Sequence, residues 1–182
     1  RAHRNAFDQA VRLAGGSFLE VDSELASIAT ALREPGVAGV FYTFSWFNTG
    51  AVPELSEIAA LARTAEVPVL VDAAAEVPPL EHLRLFVEQG ADLVTFSGGK
   101  AIRGPQASGF ILGRSDLIAA CVANDSPNMS VGRGMKAGKE EICGLVKAVE
   151  LYCARDHQAD QVVWEARVVR ILAALNDMAG GK

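Results

Sequence analysis

"DLVTFSGGK", residues Asp92–Lys100, decides how this chain is read. Leu93-Val94-Thr95-Phe96 is short, β-branched and aromatic, which fits an interior strand. The strand runs straight into Ser97-Gly98-Gly99 and then Lys100. Glycines often end strands, and a lysine after a turn is ordinarily solvated. Whether Lys100 differs depends on what surrounds it.

Outward from this stretch, strand-like and helix-like segments alternate. Upstream, Ser17 to Val21 reads as a short strand, and Asp22 to Glu34 has helical spacing behind an Asp or Ser cap. Val37 to Phe44 reads as the next strand. Pro53 to Glu66 reads as a helix with Leu55, Ile58, Ala59 and Ala62 on one face, and Val67 to Asp72 as a continuous apolar strand. A helix over Leu80 to Gln89 should end at Gly90, a natural left-handed cap.

Downstream, Ala107 to Gly113 reads as a strand and Ser115 to Ala123 as a helix. A polar loop fills Asn124 to Gly138, and a helical pattern runs from Lys139 to about Leu175 with a break near Asp156-His157. Apolar strands alternating with helices predict an α/β fold with a mostly parallel sheet covered on both faces.

Composition narrows the function classes. The 182 residues are enough for one substantial core, and half are apolar. With 17 basic and 22 acidic side chains the net charge is -5, so no broad electrostatic footprint for nucleic acid exists. No apolar run is long enough to span a bilayer, and the chain opens on no signal segment. Cys121, Cys143 and Cys153 lack metal-ligand spacing and read as buried free thiols of a reducing compartment, by default the cytoplasm. The start on Arg1 and the close on "MAGGK" lead us to expect a fragment of a longer chain.

In a parallel sheet, ligands bind beyond the carboxyl ends of the strands. Two strands here end in reactive groups: the first in Asp72, the second in Ser97-Gly98-Gly99-Lys100. Both therefore fall on one rim. An ion pair would explain an acid and an amine there, but an Asp ending an apolar strand is costly to bury without a dedicated cationic partner. Ala73-Ala74-Ala75 leaves flat space beside the carboxylate. Ser97, Gly98 and Gly99 offer a hydroxyl and backbone N–H groups for a phosphate. A carboxylate for a pyridinium nitrogen, small residues for a ring face, phosphate donors and a partly desolvated lysine for a carbonyl describe a pyridoxal phosphate site.

Three stretches carry a family resemblance: "VDAAAEVPP", "ADLVTFSGGKAIRGPQASGFILGRSDLI" and "SVGRGMKAGKEEICGLVKAVELY". They occur in order between about Phe41 and Tyr152. Together they resemble the family around bacterial selenocysteine synthase (L-seryl-tRNA(Sec) selenium transferase), and more closely its D-glucosaminate-6-phosphate ammonia-lyase-type relatives.

The resemblance implies the large domain of a pyridoxal phosphate-dependent transferase of the aspartate aminotransferase type (fold type I), built on a seven-stranded-type sheet. It implies that Lys100 links covalently to the cofactor, that Asp72 pairs with the ring nitrogen, that Ser97 contacts the phosphate and that Ala74 packs on the ring. Arg133 would reach the phosphate or a substrate carboxylate, with Lys136 and Lys139 more ordinary loop cations. By the same resemblance residues 1–155 form part of the cofactor domain, whose upstream phosphate loop precedes Arg1. Residues 156–182 form a helix leading to a smaller carboxy-terminal domain, and a homodimer or larger assembly is implied. Selenocysteine synthase has an acidic residue before the lysine and Leu-Leu-Gly-Gly after it. Here the stretch is Gly99-Lys100-Ala101-Ile102-Arg103-Gly104, which favours the ammonia-lyase side.

Arg103, close to Lys100, is a candidate for an acidic substrate, against a surface ion pair. Asn48 is a candidate beside the ring oxygen, against a plain Asn-Thr-Gly turn. Trp46 could line the pocket or the core, and His3, His82 and His157 read as surface or capping residues. The expected activity is removal of a proton at the α-carbon of a small, anionic amino acid or amino-sugar acid, then β-elimination and deamination. The alternatives are selenium transfer on a seryl-tRNA, a non-catalytic module of the same fold, and a phospholigand-binding domain with Lys100 as a point charge.

Overall fold

A computed structural model describes residues 8–43 and 52–180. Trp46, Asn48 and His3 lie outside the described residues, as does Phe44 at the end of the second expected strand. The described elements are helices α1 (Asp8–Leu13) and α2 (Leu25–Ala31), strand β1 (Val40–Thr43), α3 (Leu55–Thr64), β2 (Val69–Asp72), α4 (His82–Glu88), β3 (Leu93–Ser97), β4 (Gly109–Gly113), α5 (Ser115–Asn124), α6 (Lys139–Cys153) and α7 (His157–Gly180).

The sheet has the order β1-β2-β3-β4. β1, β2 and β3 pair in parallel, as the α3 and α4 crossovers require. β4 is antiparallel to β3, from Leu93↔Gly113 to Ser97↔Gly109, because a turn without a crossover helix joins them. Four strands are present among the described residues, a part of the larger sheet expected.

Residue spacing explains the core. Leu55, Ile58, Ala59 and Ala62 form the buried stripe of α3, as its helical period predicts. Along β2 and β3 burial alternates: Val69, Val71, Val94 and Phe96 are buried, whereas Leu70, Asp72, Leu93 and Thr95 are half-buried. Among the described residues one face is closed, and the period-2 pleat leaves the other partly open.

The sheet is pinned at its base by Asp92. Its Oδ2 accepts the Val69 N–H at 2.8 Å, and its Oδ1 accepts from Arg114 Nη1 at 2.9 Å. Gly90 has φ +104, the left-handed cap that stops α4. Ser17–Val21 forms no strand. Phe18 instead meets Phe41 of β1 edge-on, with ring centroids 6.3 Å apart, so its apolar surface is used in side-chain packing without a ladder. The helical pattern after Lys139 does break near Asp156, between α6 and α7.

Candidate active site

The register fixes the rim. Asp72, the last residue of β2, pairs with Thr95, and β3 continues to Ser97 before the Lys100 turn. Asp72 and Lys100 thus emerge at the carboxyl end of adjacent parallel strands. Asp72 is half-buried, and its Oδ1 accepts the Ala74 N–H at 3.1 Å. That bond holds the carboxylate against its own backbone and fixes Ala74 beside it. Among the described residues nothing pairs with its other oxygen.

The turn around Lys100 is closed by three hydrogen bonds. The Gly104 N–H donates to the Gly98 carbonyl at 2.7 Å, the Arg103 N–H to the Lys100 carbonyl at 2.9 Å, and Gln106 Nε2 to the Gly99 carbonyl at 3.0 Å. Its floor is α6. A methyl group on Gly98 would press on Ser108 Oγ and on Leu145 Cδ1 at 2.6 Å. One on Gly104 would meet Ala148 Cβ at 3.2 Å, and one on Gly144 would meet Pro105 Cγ at 2.9 Å. Gly144, Leu145 and Ala148 share one helical face, so α6 is the platform on which the lysine turn sits.

These contacts alter the roles of the two glycines. The Gly98 N–H is spent on the Ser108 carbonyl at 2.9 Å and so is not a phosphate donor in this arrangement. Among the described residues the N–H groups of Gly99 and Lys100 have no acceptor, and Ser97 Oγ has no partner. Those three donors fit a phosphate, and Asp72 beside small Ala74 fits a protonated ring nitrogen. The donor set therefore suits pyridoxal phosphate. Lys100 is exposed, not partly desolvated as expected, because no described residue covers the rim above the turn.

Glu76 belongs to this neighbourhood and was not singled out in the sequence. Burial raises its carboxyl above the ordinary range; the charges of His82 and Lys100 oppose the shift and that of Asp72 adds to it. The electrostatic reach of Lys100 and Asp72 thus converges on Glu76. The available signal was an isolated acid between Ala75 and Val77, four residues past Asp72.

The remaining candidates lie apart. Arg133 is exposed in a 3₁₀ turn, Arg133–Met135, and donates from Nη1 to Ser126 Oγ at 2.9 Å within its own loop. Lys136 and Lys139 are exposed. Arg103 turns to Asp160 of α7 at 3.6 Å, the ion pair weighed against substrate binding. His82 donates from Nδ1 to the Glu76 carbonyl at 2.5 Å. His157 donates from Nε2 to the Tyr152 carbonyl at 2.9 Å, capping the end of α6. A cavity of about 130 Å³ lies between α2 and α3, away from this rim.

The described sheet is mostly parallel, carries an acid and a lysine on its carboxyl rim, and has pyridoxal phosphate-dependent enzymes of fold type I as its structural neighbours. The family model for L-seryl-tRNA selenium transferase matches residues 42–179, and the chain belongs to this family. It is 36% identical over 175 residues to the D-glucosaminate-6-phosphate ammonia lyase of Salmonella typhimurium, covering 94% of this chain and 44% of that protein. It is 37% identical over 178 residues to the 5'-C-glycyluridine monooxygenase-decarboxylase of a Streptomyces species, covering 94% and 42%. The solved structure of D-glucosaminate-6-phosphate ammonia-lyase superposes with a TM-score of 0.72 at 37% identity, over 81% of this chain and 39% of the other. The chain thus spans less than half the length of these relatives.

Proposed function

We propose that the whole protein is a pyridoxal phosphate-dependent ammonia-lyase acting on a small anionic amino acid or amino-sugar acid. The observation that carries this reading is the placement of Asp72 and the Lys100 turn at the ends of neighbouring parallel strands, both within electrostatic reach of Glu76. Bound pyridoxal phosphate supplies an electron sink for the pair left when an α-proton departs. Lys100 Nζ would hold the cofactor and would serve as the base that accepts that proton. The Asp72 carboxylate keeps a proton on the ring nitrogen, and Ala74 gives the ring a flat neighbour. Ser97 Oγ and the N–H groups of Gly99 and Lys100 receive the phosphate.

The net change balances. Water leaves across the α,β bond, and one water then hydrolyses the resulting imine. A 2-amino-3-hydroxy acid thereby becomes a 2-keto acid and ammonia. Arg133 and Asn48 stand as substrate-side candidates in this reading.

Selenium transfer on a seryl-tRNA is the second reading, favoured by the family model that matches most of the chain. The net charge of -5 weighs against it, since a tRNA backbone draws on many Lys and Arg contacts. The proposed compartment is the cytoplasm, in keeping with three free cysteines, of which Cys143 and Cys153 are exposed and Cys121 half-buried, not buried as expected. Among the described residues no helix is long and apolar enough to cross a membrane. The proposed assembly is a homodimer or larger. Exposed apolar residues on α6 and α7, among them Ile142, Val146, Val169 and Leu172, supply surface for such contacts.

The test uses the full-length protein. Borohydride reduction and peptide mapping should place a pyridoxyl group on Lys100. Amino-sugar acid phosphates and hydroxy amino acids should then release ammonia and keto acid. A label on another lysine defeats the site. Salt-sensitive tRNA binding with selenocysteine formation from seryl-tRNA and selenophosphate defeats the lyase reading while leaving Lys100 in place.

A further inference from the structure

The lysine turn is tied by charge to the corner between α6 and α7. Arg103, three residues past Lys100, has φ +63, a backbone conformation that residues other than glycine rarely take. Its Nη2 lies 3.6 Å from Asp160 Oδ2 in the first turn of α7. Arg155, in the α6–α7 connection, brings Nη1 to 3.5 Å from the same oxygen. That oxygen is buried and accepts no hydrogen bond among the described residues. The two guanidinium charges are therefore what offsets its removal from water. A cavity of about 70 Å³ separates these groups from Pro78, Ala101 and Tyr152, so both rim loops border the same corner.

We propose that Asp160 is a positioning residue: by holding Arg103 in its left-handed conformation it fixes the turn that presents Lys100. The link is short. The Arg103 side chain is held by Asp160, and the Arg103 N–H donates to the Lys100 carbonyl. A simple surface ion pair would contribute little and would not explain why two arginines share one buried oxygen. The inference rests on the reading of Lys100 as the cofactor lysine. It assigns Arg103 to the turn in preference to the substrate.

Backbone hydrogen exchange of the full-length protein, stripped of cofactor, reads the turn directly. Asp160→Asn should speed exchange at the Arg103 and Gly104 amides about tenfold and leave Val71 and Asp72 unchanged, a local opening and not a global one. Asp160→Glu should restore most of the protection, and in an Arg103→Ala background Asp160→Asn should add nothing further. With cofactor restored, Asp160→Asn should alter the visible circular dichroism of the bound chromophore. It should also lower kcat with little change in KM. Unchanged exchange at the turn, equal acceleration through the sheet, or a raised KM with kcat intact would overturn the proposal. Absence of a borohydride label on Lys100 in the unaltered protein would remove the cofactor reading instead, and the exchange measurement would still decide the anchor.

Discussion

The Gly104 N–H donates to the Gly98 carbonyl at 2.7 Å, closing the chain into a loop with Lys100 at its tip. Gly98 sits where strand, turn and helix meet, and even one methyl group there has no space beside Leu145 and Ser108.

Gly98→Ala is therefore expected to act on the turn before it acts on chemistry. The added carbon must displace Leu145 of α6 or the backbone, an overpacking cost of about 1–3 kcal/mol. Thermal unfolding should show that loss, and cofactor content should fall with it. Gly134→Ala is the control, since nothing lies within 4 Å of its added carbon. Equal stability of the two variants would mean that α6 does not press on the turn.

Glu76 gives a pH dependence with a definite sign. Burial raises its carboxyl pKa above the ordinary carboxylate range in the folded state, so the folded protein binds its proton more tightly than the unfolded chain does. No penalty exists below the unfolded pKa. Stability then falls as pH rises from there through the raised folded value, and stays lower above it. Glu76→Gln should flatten this part of the stability profile. Lys100→Met should raise the Glu76 pKa further, because the lysine charge lowers it. Carboxyl NMR titration of Glu76 in both backgrounds measures the shift directly. An unmoved titration in Lys100→Met would separate Glu76 from the lysine.

The sheet and its rim were legible in the sequence because each depends on local pattern. Val69 to Asp72 and Leu93 to Ser97 are short apolar runs with turn residues behind them, and their carboxyl ends follow from parallel order alone. What lay hidden depends on partners distant in sequence. Nothing in "GGKAIRGPQ" tells that the Gly98 N–H is taken by Ser108 or that Leu145 lies beneath it. Arg103 looked free for a substrate because its partner, Asp160, is far along the chain. Ser17 to Val21 had strand composition, but composition cannot say whether a neighbouring edge is available for pairing.

Asp72→Asn is the most informative substitution at the rim. Asparagine keeps the size of the side chain and an oxygen that can still accept the Ala74 N–H, so the end of β2 should keep its shape. What it loses is the negative charge facing the space beside Ala74. If that charge holds a proton on the cofactor's ring nitrogen, the variant should fold with unchanged thermal stability and retain cofactor. Its turnover should drop by on the order of a hundredfold or more, the scale of removing one preorganised electrostatic contact. Substrate affinity should change little, since the carboxylate contacts the ring and not the substrate. Measuring kcat and KM separately distinguishes this from a merely structural role. A stability loss with proportionate loss of cofactor would make Asp72 a strand-end residue, and near-normal turnover would transfer its proposed role to another acid of the rim, with Glu76 the first to test.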